Sequence, residues 1–142
     1  VPYLVAPRPG ALALESFPEA RCKIGLVWVG SPKNVRDKER SIPPRFLLPL
    51  LKIPEVAWFV LQKDGVPQEL PLPDSFPGWF EHYGDRLEDL ASTAAVIVQL
   101  DLVITVDTAV AHLAGALGKP VWTLLPFAPD ARWMLQREVF YY

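Results

Sequence analysis

The sequence predicts an α/β domain: a Rossmann-like, three-layer arrangement with a parallel sheet between helices. Three observations carry this expectation. Short apolar runs of strand length alternate with segments of helical periodicity. The runs KIGLVWV, VAWFVLQ and LVITV are apolar at consecutive positions, as strands covered on both faces are. Finally, Leu100 to Leu125, LDLVITVDTAVAHLAGALGKPVWTLL, reads as strand, acidic turn, helix and second strand with almost nothing between them. Strands joined through helices need crossover connections, and crossovers make a sheet parallel.

Residues 1–22 show no periodicity and are expected to be a linker leading into the domain, which then occupies residues 23–142 as a fragment of a larger protein. Lys23 to Val29 is the first expected strand, closed by Gly30, Ser31 and Pro32. The polar loop SPKNVRDKER follows. Ser41 then stands ahead of Pro43 and Pro44, a helix-start signature for RFLLPLLK, with Pro49 limiting or kinking that helix. Val56 to Gln62 is the second strand and runs into the turn Lys63-Asp64-Gly65. Val66 to Gly78 reads as proline-rich loop, and Trp79 to His82 as a short third strand.

Asp85, with Glu88 three residues on, is placed to cap a helix whose apolar positions are Leu87, Leu90, Ala91, Ala94, Ile97 and Val98. Leu102 to Val106 is a strand, Thr108 to Leu117 a helix capped by Asp107 and stopped by Gly118, and Val121 to Leu125 the last strand.

Bulk properties narrow the function. A chain of 142 residues, half of them hydrophobic, suffices for one core and leaves little for a second. With a net charge of -2 and scattered Lys and Arg, the chain lacks the basic stripe that neutralises a nucleic-acid backbone, so no nucleic-acid partner is expected. Cys22 is alone, which excludes an intrachain disulfide, and His82 and His112 are too few for zinc-ligand spacing, so no metal is expected. No apolar run approaches the roughly 18 residues of a membrane span, so no transmembrane segment is expected and a cytoplasmic location fits. The 16 prolines cluster between periodic segments and so punctuate a fold.

Ligands of open α/β sheets bind beyond the carboxyl ends of the strands, and a helix starting there aims unpaired N–H groups at an anion. The Asp107-Thr108 turn is such a place, and a phosphate-bearing ligand is the expectation. Val110, Leu113, Ala114 and Leu117 form an apolar stripe on the following helix, leaving Thr108, His112 and Gly115 on its other side. Contact with phosphate is expected from amides and the Thr108 hydroxyl, with the Asp107 carboxylate orienting the turn. A helix terminus contributes only about 0.3–1 kcal/mol to an anion, and a charged hydrogen bond about 1.5–3 kcal/mol. A cation is therefore required, and the loop carrying Lys33, Arg36, Lys38 and Arg40 is placed to supply it. No G-x-G-x-x-G follows the first strand, the GALGKP segment lacks P-loop spacing, and no G-x-S-x-G elbow occurs. The residues show no self-sufficient active site.

Four segments resemble a known family. KIGLVWVGSPKNVRDKERSIP, FVLQKDG, the stretch from Leu87 to Pro126 and PDARWMLQR are together similar to GT-B glycosyltransferases of the ADP-heptose:lipopolysaccharide heptosyltransferase type, especially the variant fused behind tetratricopeptide repeats. VDTAVAHLAGALGKPVW is the most specific string. The resemblance implies one half of a GT-B fold, the C-terminal half that binds a nucleotide-sugar donor. The missing N-terminal domain and the repeats would be its partners. It further implies inverting, metal-independent transfer without a cofactor, and a catalytic base in the absent half. No catalytic residue is then expected in this fragment, which alone would be inactive.

Carried over residue by residue, the family's diphosphate site falls on Asp107, Thr108 and Ala109 with His112 behind them, and the basic residue after the first strand on Arg40. Gly30 and Ser31 line the same region, and Lys63 stands at the rim. Arg40 takes the place of the lysine typical of the heptosyltransferases, and the family's chain continues past Tyr142 into a returning helix. Two other readings accompany this one. The first is a non-catalytic, degenerate transferase domain acting as an interaction or scaffold module, and the second half of a sugar-nucleotide epimerase.

Overall fold

Side chains alternate between two faces along a strand, and here both faces are apolar. In β2 (Val56–Val60), Val56, Trp58 and Val60 point one way and Ala57 and Phe59 the other, all buried. The computed structural model describes residues 2–30, 40–63, 79–127, 129 and 133. Its strands are β1 (Cys22–Val27), β2, β3 (Trp79–His82), β4 (Leu102–Val106) and β5 (Val121–Leu124). They form one five-stranded sheet in the order β3-β2-β1-β4-β5, with every pairing parallel. The expected Rossmann-like α/β architecture is observed, and β3 and β4 have the expected bounds.

On one face, Ile24, Leu26, Trp28, Trp58, Val60 and Ile104 pack with Leu47 and Leu51. Leu51 belongs to α1 (Leu48–Leu51), a four-residue helix preceded by a 3-10 turn over Pro44–Phe46. The longer helix expected across RFLLPLLK is thus corrected. Pro43 and Pro44 hold the backbone in a tight 3-10 turn, and Pro49 occupies the first turn of α1, where a missing N–H leaves no hydrogen bond unmade.

The other face carries α2 (Leu90–Ile97) and α3 (Ala109–Ala116), with Phe59, Leu61, Tyr83, Leu87, Val96, Ile97, Leu100 and Ala114 forming its core. The cap of α2 is a second correction. Asp89, not Asp85, accepts from the Ser92 amide at 2.7 Å, while the Asp89 amide donates to the Ser92 hydroxyl at 2.9 Å, closing a capping box. Asp85 and Leu87 instead lie in and just after a 3-10 turn, Gly84–Arg86, and this turn drops Leu87 into the core at 1 % exposure. Gly118 ends α3 with φ +72°, a conformation that favours glycine.

Residues 2–20 lie against this second face. The Tyr3 and Leu4 amides donate to the Ala116 carbonyl, and Leu12, Leu14, Phe17 and Ala20 pack on the core. Gln99 ties the segment down, accepting from the Leu14 amide and donating to the Leu12 carbonyl, both at 3.0 Å. Among the described residues, no helix is long and apolar enough to cross a membrane.

Candidate functional site

β1 occupies the centre of the sheet, with β2 on one side and β4 on the other. The chain order therefore reverses between β1 and β4, and at such a switch point the loops leaving the two strand ends diverge. Two residues past Val27 comes Val29, whose amide donates to the Gln62 side-chain oxygen at 3.1 Å. Gly30 follows, buried, with its amide on the Ser41 hydroxyl at 3.3 Å. The Ile42 amide donates to the Trp28 carbonyl at 2.8 Å. These three bonds return the chain to the end of β1 and leave Arg40 beside the switch point.

Arg40 reaches across it. Its Nη1 donates to the Asp107 backbone carbonyl at 2.8 Å and stands 3.8 Å from the Asp107 carboxylate. The Arg40 side chain is 17 % exposed, and its buried Nε has no hydrogen-bond partner among the described residues. Asp107 is itself buried. Its second carboxylate oxygen lies 3.9 Å from His112 Nε2, so the carboxylate sits between a guanidinium from the β1 side and an imidazole from α3. Helical side chains lean toward the N-terminus, which is how a residue one turn into α3 comes back to its start. The His112 ring stacks on buried Trp133 with centroids 5.4 Å apart and planes inclined 21°.

The cap of α3 is the third correction. Thr108, not Asp107, is the N-cap, and its hydroxyl accepts from the Val110 amide at 3.3 Å. With the Asp107 carboxylate between Arg40 and His112 and its carbonyl on Arg40, the neighbouring threonine supplies the capping oxygen. Thr105 donates its hydroxyl proton to the Val106 carbonyl at 2.9 Å, so the contact between Thr105 and Thr108 hydroxyls at 3.1 Å uses the Thr108 proton. The Thr108 hydroxyl is thus engaged inside the protein. Ala109 is exposed, and its amide has no partner among the described residues. Among the described residues, the unclaimed donors at the turn include the first amide of α3 and the guanidinium edge of Arg40.

Of the residues expected at the site, Arg40, Asp107, Thr108, Ala109 and His112 come together, and Gly30 joins them through Ser41. Lys63 lies apart, exposed, donating from Nζ to the Glu88 carbonyl at 3.0 Å. Ser31 and the cations Lys33, Arg36 and Lys38 lie outside the described residues, as do the turn residues Asp64 and Gly65. Gln62 escaped the sequence reading. A glutamine ending an apolar strand carries no motif, and its role of holding the loop after β1 arises from a contact 33 residues away. Among the described residues no group of three or more His, Cys, Asp or Glu side chains is placed to hold a metal ion.

Residues 88–133 match the family model of glycosyltransferase family 9 (heptosyltransferase). That stretch holds α2, β4, the Asp107 turn, α3, β5 and Trp133, so the similarity to that family includes the turn and the helix that follows it. The chain is also 30% identical over 105 residues to "Protein FlbA" of Caulobacter vibrioides, a match covering 72% of this chain. The same match covers 18% of that relative, so the chain spans under a fifth of its length. No solved structure matches significantly.

Proposed function

We propose that this chain is the nucleotide-sugar donor-binding domain of a glycosyltransferase, the C-terminal half of a GT-B fold whose transfer is inverting and metal-independent. The observation that carries the reading is Arg40. It arrives from the β1 side of the switch point and is held on the β4 side by the Asp107 carbonyl, next to the start of α3. A diphosphate docked there would meet a fixed cation, the amide of exposed Ala109 and the positive end of a helix. Arg presents several donors in a rigid fork, which suits a diphosphate better than one point charge. The family match supports glycosyl transfer as the general chemistry, since it covers the turn and all of α3.

In this reading the protein's residues bind and neutralise the leaving diphosphate, and the base that deprotonates the acceptor comes from a partner domain. The isolated chain is then catalytically silent, needs no cofactor, and works in the cytoplasm beside its N-terminal domain and tetratricopeptide repeats. Titration with UDP-, GDP- and ADP-sugars by calorimetry tests it. Binding to one of them, reduced at least tenfold in Arg40→Ala, supports the donor site, whereas a titration silent for all three contradicts it.

One observation favours a second reading. Arg40 and the Thr108 hydroxyl both have protein partners, as expected if the domain had become a non-catalytic interaction module. In that case nucleotide sugars fail to bind even in the full parent protein.

A further inference from the structure

The Asp107 carboxylate is buried between two cationic partners drawn from opposite sides of the switch point, and only one of them is always charged. Arg40 keeps its proton at every accessible pH. His112 is an imidazole, whose ring can hold one proton or two. Its Nε2 stands 3.9 Å from Asp107 Oδ1, its side chain is 40 % exposed, and its ring lies against Trp133. With Arg40 ionised, the Arg40–Asp107 pair is neutral overall, so this pair does not offset the two negative charges that a nucleotide-sugar diphosphate brings to α3. A proton on His112 adds the missing positive charge.

From this geometry we infer that docking of a nucleotide-sugar diphosphate takes up a proton at His112, with Asp107 as the positioning residue that holds Arg40 and His112 on its two oxygens. This rests on the donor-site reading and adds the linkage between donor binding and pH. The proton comes from solvent and returns when the diphosphate leaves; no covalent bond changes. Asp107 faces His112 directly, and Arg40 acts through Asp107. The second histidine, His82, belongs to another cluster, with Nε2 on the Gln62 carbonyl at 2.9 Å and Asp85 3.7 Å from Nδ1.

The sign is set by which state binds the proton. If the complex holds it more tightly than the free protein, affinity is greatest at the acidic end and falls as pH rises. A tenfold loss between pH 6 and pH 8, about 1.4 kcal/mol, is the expected scale. The test is calorimetry of the chain with UDP-glucose, GDP-mannose and ADP-glucose at pH 6, 7 and 8, in buffers of differing ionisation enthalpy. The diester phosphates of these probes do not titrate in that range. Proton uptake is the slope of observed enthalpy against buffer enthalpy.

Binding with a positive slope that vanishes in His112→Gln, shrinks in Asp107→Asn and persists in His82→Gln is the expected result. Binding with zero slope, or a slope that survives His112→Gln, overturns the linkage and leaves the donor-site reading standing. Failure of all three probes to bind overturns the donor-site reading and the linkage with it. The wild-type slope needs no variant to fold, and thermal melts of the three variants show whether their slopes can be compared with it.

Discussion

Gly84 sits where the end of β2 meets the turn after β3, and replacing it with alanine brings a collision that no side-chain rotation relieves. A Cβ added there overlaps the Gln62 carbonyl oxygen, with the carbonyl carbon at 2.6 Å and His82 Cε1 at 2.9 Å. Gly84 does not have positive φ, so the effect is steric rather than conformational. Gly25 is the internal comparison. There an added Cβ meets Leu100 Cδ1 at 2.6 Å and Leu61 Cδ1 at 3.1 Å, both ends of side chains that can turn aside. Overpacking costs about 1–3 kcal/mol and sometimes more, depending on what can yield. Gly84→Ala belongs at the upper end, about 3 kcal/mol, and Gly25→Ala near 1 kcal/mol, because only the former must move backbone. The entropic gain of alanine in the unfolded chain is common to both and cancels in the comparison. With a urea slope of about 2 kcal/mol/M, the midpoints fall by about 1.5 M and 0.5 M. The Gly84 change also displaces Gln62, whose side chain holds the Val29 amide, so exchange of that amide should accelerate in Gly84→Ala alone. Equal midpoints, or a larger loss at Gly25, would refute the reasoning.

Other expectations concern pH and the capping turns. Hydrogen bonds from the Ser92 amide and hydroxyl hold the Asp89 carboxyl below its usual range, so its ionised form stabilises the fold above about pH 4 and that stabilisation is lost as pH falls further. Asp89→Asn still caps α2 but cannot titrate, and its thermal midpoint should vary less than wild type between pH 5 and pH 3. Burial, then the nearby Glu15 charge, push the Glu81 carboxyl up, with Arg86 opposing. The folded protein therefore binds that proton more tightly than the unfolded chain, and the ionised form is penalised at neutral pH. Glu81→Gln should lose its stability advantage over wild type as pH drops from 7 toward 4; a gap that widens on acidification would contradict the assignment. Thr108→Val removes the α3 cap and should cost about 1 kcal/mol in urea denaturation, while an unchanged midpoint would argue against the cap.

Much of the fold is legible because apolar runs and helical spacing are local signals. Trp79–His82 and Leu102–Val106 could be bounded from their own residues, and Gly118 announced the end of α3. What was misread involves rival local signals decided by distant contacts. Asp85-x-x-Glu88 and Asp89-x-x-Ser92 both carry cap signatures, and the second prevails because Leu87 is drawn into the core by the turn before it. Asp107 and Thr108 compete in the same way, and Arg40, 67 residues away, settles the outcome by engaging Asp107. Gln62 and Gln99 were invisible because their partners lie 33 and 85 residues distant, where no periodicity reaches.

A nucleotide-sugar diphosphate is expected to dock between Arg40 and the first amide of α3. The most direct test is nitrogen-proton shift mapping of the chain during addition of the nucleotide sugar that binds. The largest changes should fall on the Ala109 and Val110 amides and on Arg40 Nε, with Arg40→Ala erasing them. Changes centred on Lys63 or on the β3 edge, with the Ala109 amide unmoved, would contradict it.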